Sequence, residues 1–328
     1  MGAGSPTLAI EVTAQAVRTL RGGAGWGRPG RCLYAERRLP PGVVVPSPSA
    51  PNVRDEAAFG SVVTEALGPG PPRRARLVLP DRSLRLYAIE CDGPPAAAAL
   101  RPFLTWRLQD ALPFPAREAR LAYAMGANGM PGRQLAVTAV GRETVLGQYE
   151  RVLGDLGVPV GHVAPAAVHL FNLARVGADP GGDAVEALLA VAPDTATLCL
   201  ARGGVPHYVR TFALGRLNAL DGAGEPPEAP EAAGHRPPFC SELAEELLCK
   251  ELAEELLRSF DHAADTAGLP APARLCVGGE IGPYPGLPTV LAEILDAPCS
   301  ALSPPLRSRD DSPLPPEAAA LAAALAHP

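Results

Sequence analysis

Apolar positions along the chain alternate between runs of period two and stripes of helical period, and the alternation recurs in both halves. Residues 8–20 read as strand, short turn and second strand, and residues 31–39 return as a third. Helical spacing follows over 54–67 and stops at Gly68, then short strands are expected at 75–80 and 84–91. The pattern over 94–110 predicts a helix with Leu100, Phe103, Leu104 and Leu108 along one side. It ends at Ala111-Leu112-Pro113-Phe114-Pro115, where two prolines forbid continuation. Strands at 119–125 and 134–141, a helix over 142–156 and a strand over 158–163 come next, followed by a helix over 164–176 with His169 expected on its surface. The polar stretch 177–183 divides the chain into halves.

The second half opens on residues 188–215, where two apolar runs flank Gly203-Gly204, a dipeptide suited to a tight hairpin turn. The first run breaks at Pro193-Asp194-Thr195. Residues 221–238, rich in Gly, Pro, Glu and Ala, have almost nothing to bury and are expected to form a mobile loop. Ser241 caps a long helix containing Glu-Leu-Ala-Glu-Glu-Leu-Leu twice, at 242–248 and 251–257. Leu243, Leu247, Leu248, Leu252, Leu256 and Phe260 form its stripe. The copies lie about two and a half turns apart, so they present different faces. A strand at 274–277 runs into Gly278-Gly279-Glu280, a helix is expected at 288–295, a Pro/Ser/Arg/Asp loop at 300–316, and a closing Ala/Leu helix at 317–326. Strands alternating with helices in both halves predict an α/β fold.

The 328 residues are enough for two domains, and 47% hydrophobic content with 5% aromatics implies mainly aliphatic cores. A formal charge of −6 gives no electrostatic case for nucleic acid as a partner. No secretory leader is visible at the N-terminus. Nor is there an uncharged apolar run of about 18 residues, so no direct membrane insertion is expected. The seven cysteines contain no Cys-x-x-Cys and the six histidines no His-x-x-x-His, which suits buried thiols in a reducing cytosol better than a disulfide frame or a metal site. Lys250, the one lysine, sits between Glu246 and Glu254 in a solvated charge ladder and has no P-loop around it. Asp81, Glu90 and Asp92 read as solvated turn carboxylates, Ser241 has no nucleophile-elbow context, and Trp106 and Phe114 read as core or turn anchors.

Three turns after strands invite comparison: Thr13-Ala14-Gln15, Pro193-Asp194-Thr195 and Gly278-Gly279-Glu280. Their order matches the two phosphate segments and the adenosine segment of actin-like ATPases. The stretch Trp106-Arg107-Leu108-Gln109-Asp110-Ala111-Leu112-Pro113-Phe114-Pro115 resembles the helix end and Pro-Phe-Pro turn of PilM-type type IV pilus assembly proteins. The resemblance extends to 141–163, to the hairpin 188–215, to 275–287 and to the Ala/Leu helix 318–325, so it covers nearly the whole chain. FtsA and GspL share this architecture. The resemblance implies an actin-like (ribonuclease H-like) α/β fold with two halves around a cleft, 1–178 and 184–328. It also implies a small inserted subdomain at about 84–160 and a final helix 317–326 packing back on the first half.

The resemblance further implies a cytoplasmic scaffold of a type IV pilus or type II secretion platform, peripheral at the inner membrane. There it would bind the short cytosolic tail of a PilN-like membrane protein, together with other platform components. The expected groove lies between the inserted subdomain and the first half, with Leu108, Leu112 and Phe114 as its residues. ATP and Mg are the ligands implied for Glu11, Thr13, Asp194, Thr195, Gly278 and Gly279. Here the sequence departs from the family. Where the family has Asp-Ile-Gly-Ser, this chain has Glu11-Val12-Thr13-Ala14, so a β-branched residue replaces the glycine. The second segment's Asp-x-Gly falls on Ala190-Val191-Ala192, and Glu280 stands where a third glycine is usual. Phosphoryl transfer depends on positioned charge and metal. These losses argue for a degenerate, non-hydrolysing member over the alternative, an active ATPase that couples nucleotide binding to pilus assembly. No substrate motif of a sugar or acetate kinase is recognisable.

Overall fold

The computed structural model describes residues 8–22, 31–70, 74–92, 97–127, 133–175, 183–215, 242–281 and 286–326. The loop expected at 221–238 and the Ser241 cap lie outside the described residues.

Two sheets repeat one topology. In the first, β1 (Leu8–Val12), β2 (Ala16–Gly22) and β3 (Arg31–Arg38) form an antiparallel meander, β4 (Ala75–Leu79) runs parallel to β1, and β8 (Val160–Pro165) runs parallel to β4. In the second, β9 (Val185–Ala192), β10 (Thr195–Arg202) and β11 (Val205–Ala213) form the meander, with β12 (Arg274–Gly278) parallel to β9 and β13 (Cys299–Ala301) parallel to β12. Gly203 and Gly204 both take positive φ, 56° and 73°, the geometry that a two-residue hairpin turn matching strand twist requires. A third sheet of β5 (Arg85–Asp92), β7 (Arg133–Arg142) and β6 (Ala119–Ala127) carries α2 (Ala97–Leu108) on one face.

Strand alternation sorts the core. Leu8, Ile10 and Val12 point to one side of β1, where α1 (Glu56–Leu67) and α3 (Glu143–Asp155) contribute Phe59, Val63, Tyr149 and Leu153. Phe59 and Tyr149 meet edge to face with ring centroids 6.0 Å apart. Ala9 points to the other side, into a layer shared by both large sheets. That layer holds α4 (Ala166–Ala174) and α7 (Ala319–Ala326), whose eight residues are all buried. Alanine at six of those eight positions lets α7 lie close against β1, β2, β4 and α4. The buried Arg76 guanidinium donates to the Ala324 carbonyl at 2.7 Å, satisfying one of the helix's last acceptors.

Four expectations change. His169 is buried, not on the surface, because α4 is covered by the sheets on one side and by α7 on the other. The third sheet ends at Arg142, and α3 packs into the first half's core, so the inserted unit is shorter than 84–160. The expected loop 300–316 contains two short pairings, β13 and β14 (Arg307–Ser308), the latter adding to β3 in the first sheet. Asp81 is also not a free turn carboxylate: its Oδ1 accepts from the Ala167 backbone N–H at 2.9 Å at the start of α4. Burial pushes its carboxyl up to about 6.

The second half's core is lined by α5 (Glu242–Ala267) and α6 (Leu287–Leu295). The repeat in α5 presents different faces, since Leu248 is buried and its counterpart Leu257 is exposed.

Candidate functional site

The three turns singled out in the sequence come together where the two large sheets face each other, and an arginine stands among them. Glu11 is opposite Arg18 in the β1–β2 register, and Arg18 is opposite Glu36 in the β2–β3 register. A strand places alternate residues on one face, so the three side chains form a row on the side facing the second half. Arg18 Nη1 lies 3.3 Å from Glu11 Oε2 and Nε lies 3.1 Å from Glu36 Oε2. From the other half, Glu280 on the turn after β12 brings Oε2 to 3.7 Å from Arg18 Nη2. The Tyr34 hydroxyl donates to Glu36 Oε2 at 2.7 Å. One guanidinium therefore faces three carboxylates drawn from both halves. A second ion pair crosses at Arg82 and Asp194, 2.6 Å apart and half-exposed, where the contribution is about 0–1 kcal/mol.

Burial dominates the electrostatics. It outweighs the guanidinium and pushes the Glu11 carboxyl up to about 7, with repulsion from Glu280 and Glu36 adding to the rise. Burial likewise raises Glu280. Burial works against the Arg18 charge, but the carboxylates of Glu11, Glu280 and Glu36 more than offset it and hold Arg18 above its ordinary value. Glu11 in the unfolded chain titrates near 4.5, so its contribution to stability is full below that pH and is lost as the pH rises through about 7. Glu11→Gln removes this titration. The variant is expected to gain on the parent protein by about 2–3 kcal/mol between pH 4.5 and pH 8, read from urea unfolding. His162 and His207, both lowered by burial, act in the opposite direction but are common to both proteins and cancel in the difference. A gap that stays constant with pH would contradict the buried position of Glu11.

The backbone of the first turn is also occupied. Thr13 N–H donates to Ala16 O at 2.9 Å, while Gln15 and Ala16 N–H donate to Thr13 Oγ1 at 3.1 and 3.0 Å. A phosphate in a nest of this kind is held by such N–H groups; here the Thr13 hydroxyl takes those of Gln15 and Ala16, and the Ala16 carbonyl takes that of Thr13. In the second turn, Thr195 Oγ1 donates to Asp194 Oδ1 at 3.0 Å, and Asp194 faces Arg82. In the third, Gly279 has φ +96° and packs on the end of β9, where an added Cβ would lie 2.6 Å from the Val191 carbonyl oxygen. Ile281 N–H donates to that oxygen at 3.0 Å.

Glu11, Thr13, Asp194, Thr195, Gly278 and Gly279 lie on the three turns around Arg18 and Glu280. Their groups do not fit a magnesium nucleotide: the Glu11 acid faces a guanidinium, and the N–H groups of Thr13, Gln15 and Ala16 are engaged within the first turn. Arg18 and Glu36 were not singled out in the sequence, although a two-residue turn at Ala14-Gln15 sets residue 11 opposite residue 18.

The overall arrangement has counterparts of known structure. It is similar to a chain of the PilM-PilN type IV pilus biogenesis complex, at TM-score 0.73 and 19% identity over 98% of both chains. It is also similar to a Bacteroides thetaiotaomicron protein with actin-like ATPase fold and unknown function, at TM-score 0.51 and 8% identity over 98% of this chain and 96% of that one. The fold is actin-like. No protein-family model matches the sequence, and no curated protein matches it.

The residues expected to line a partner groove fall differently. Leu108 and Phe114 are buried in the core between α2 and the third sheet, beside Leu100, Leu104 and Val140, and Leu112 packs partly buried against that core. Leu108 and Phe114 therefore shape this unit from inside and do not form a groove wall. Trp106, read from sequence as an anchor, is 62% exposed. Among the described residues no group of three or more His, Cys, Asp or Glu side chains could hold a metal ion, and no helix is long and apolar enough to cross a membrane.

Proposed function

We propose that this chain is a non-hydrolysing scaffold of a type IV pilus or type II secretion platform, cytoplasmic and peripheral at the inner membrane. It would be held there by the short cytosolic N-terminal tail of a PilN-like membrane protein. The observation that carries this reading is the match over 98% of both chains to a chain from a PilM-PilN complex. The halves are taken as 1–178 and 184–328, with the final helix packed back on the first. The docking groove is placed between the third sheet's unit and the first half. A tail of this kind binds through apolar pockets and backbone hydrogen bonds. Leu112 is the member of the expected trio that keeps some surface, while Leu108 and Phe114 support it from beneath.

The Arg18 cluster supports the non-hydrolysing part of the reading. An internal cation stands among the acids that a metal-bound nucleotide would need, and it ties the two halves together without a ligand.

Titration calorimetry with a synthetic tail peptide tests the partner assignment. Saturable binding is expected with a dissociation constant on the order of 1–100 μM. Absence of heat at about 500 μM peptide, a concentration that would expose even weak affinity, removes the assignment.

A further inference from the structure

The helix α2 has two apolar faces, and the core uses one of them. Leu100, Leu104 and Leu108 turn inward and are buried. At about 100° per residue, positions 99, 102, 103 and 106 share the opposite side. Ala99, Pro102 and Trp106 are exposed there, and the half-buried Phe103 ring lies 6.2 Å from the Trp106 ring. At 62%, Trp106 is the most exposed large apolar side chain among the described residues.

Arg107 is exposed at one margin of this stripe. Arg101 turns the other way, its Nη1 donating to the Leu121 carbonyl on β6 at 2.8 Å. Arg117, with 80% of its side chain exposed, sits on the short 3-10 turn Ala116–Glu118 that packs against α2. The nearby acids are Asp110, exposed beyond the helix end, and Glu118, engaged by Arg142 at 2.8 Å and by Arg117 at 3.6 Å. From Arg85 to Arg142 the sequence has seven arginines and four carboxylates, in a chain whose net charge is −6. Of these arginines Arg120 is engaged by Glu143 and Glu150 of α3, Arg133 by Glu90 and Arg142 by Glu118, so the basic excess of the unit rests with Arg85, Arg101, Arg107 and Arg117.

We propose that this face of α2 docks on an anionic lipid surface, with Trp106 at headgroup depth and Arg107 and Arg117 on the phosphates. An indole beside long basic side chains suits the boundary between headgroups and acyl chains, where the ring has an apolar body and a polar N–H. Arginines on the helix and on the adjoining turn fit a plane of phosphates better than one localised acidic group. The negative remainder of the protein is repelled by the same surface and so fixes the orientation. The inference stands on α2 itself and does not depend on the partner tail.

The test uses the full chain with no partner present. Trp26→Phe leaves Trp106 as the sole tryptophan of the two in the sequence. Its emission is expected to shift to the blue with vesicles of equal phosphatidylglycerol and phosphatidylcholine, and not with phosphatidylcholine alone. The shift should disappear on raising the salt from about 50 to about 500 mM, where the Debye length contracts to a few ångströms. In co-sedimentation with the mixed vesicles, Arg107→Gln should lower the partition coefficient about fivefold, the value of one basic residue at an anionic surface. Trp106→Ala should lower it by at least as much, and because both side chains are exposed the variants keep the parent circular dichroism. Equal binding to neutral and anionic vesicles, or variants that partition like the parent, overturns the proposal. So does absence of vesicle binding when the chain is retained on immobilised polyglutamate or dimerises through Trp106, since either result assigns the face to a protein partner.

Discussion

Arg18→Ala is expected to lower the unfolding free energy by about 3–5 kcal/mol, the range for removing one partner from a buried ion cluster. The reason is what remains. Glu11 and the largely buried Glu280 lose their common counter-charge, and Glu36 loses the Arg18 contact it holds at 3.1 Å. The loss reflects uncompensated carboxylates more than the worth of the original pairs, so removing the acids as well should recover most of it. The triple variant Arg18→Met, Glu11→Gln, Glu280→Gln is accordingly expected to regain more than half of the lost stability in urea unfolding. A single variant that loses less than about 1 kcal/mol, the scale of an exposed pair, would mean that water reaches the cluster.

Gly279→Ala should be nearly as costly, about 2–4 kcal/mol, from a strained positive φ and an overpacked contact together. At φ +96° an L side chain is strained, and its Cβ would lie 2.6 Å from the carbonyl oxygen and 2.8 Å from the nitrogen of Val191. Those atoms belong to the end of β9 and cannot yield without disturbing the sheet. Gly278→Ala is the control. Its Cβ would meet the ends of the Leu170 and Leu302 side chains at 3.1 and 3.2 Å, groups that can turn aside. A loss of about 1 kcal/mol or less is expected there, and equal losses at the two positions would contradict the close seating of Gly279. Displacing the Gly279 turn also moves Glu280 away from Arg18, so the two predictions share one structural unit.

Much of the frame was legible in the pattern of the chain. Alternation in residues 8–20 and 31–39 and the Gly203-Gly204 turn placed both meanders, and the stripes of α1, α3 and α5 placed their covers. What escaped depended on contacts between distant segments. His169 looked like a surface residue because nothing local shows that α7 closes over α4. β14 has two residues and pairs with a strand nearly three hundred positions earlier, too short for any period to show. Leu108 and Phe114 were chosen for a groove by resemblance, whereas their apolar chemistry places them in the core between α2 and its sheet. Within the site, Glu11 was singled out but Arg18, opposite it in the hairpin register, was not, and Glu280 reaches Arg18 from the other half, so the cluster was visible in the sequence only in part.

A cleft held closed by Arg18 and its carboxylates, and not by a nucleotide, should be indifferent to added ATP. The direct measurement is the melting temperature of the full chain with and without Mg-ATP, supplemented by phosphate release. A ligand at a hundredfold excess over its dissociation constant stabilises by about 2.7 kcal/mol. No change in melting temperature is expected at about 5 mM Mg-ATP, since even a dissociation constant of about 50 μM would then give the full effect, and no released phosphate. A saturable rise in melting temperature accompanied by phosphate release would contradict it.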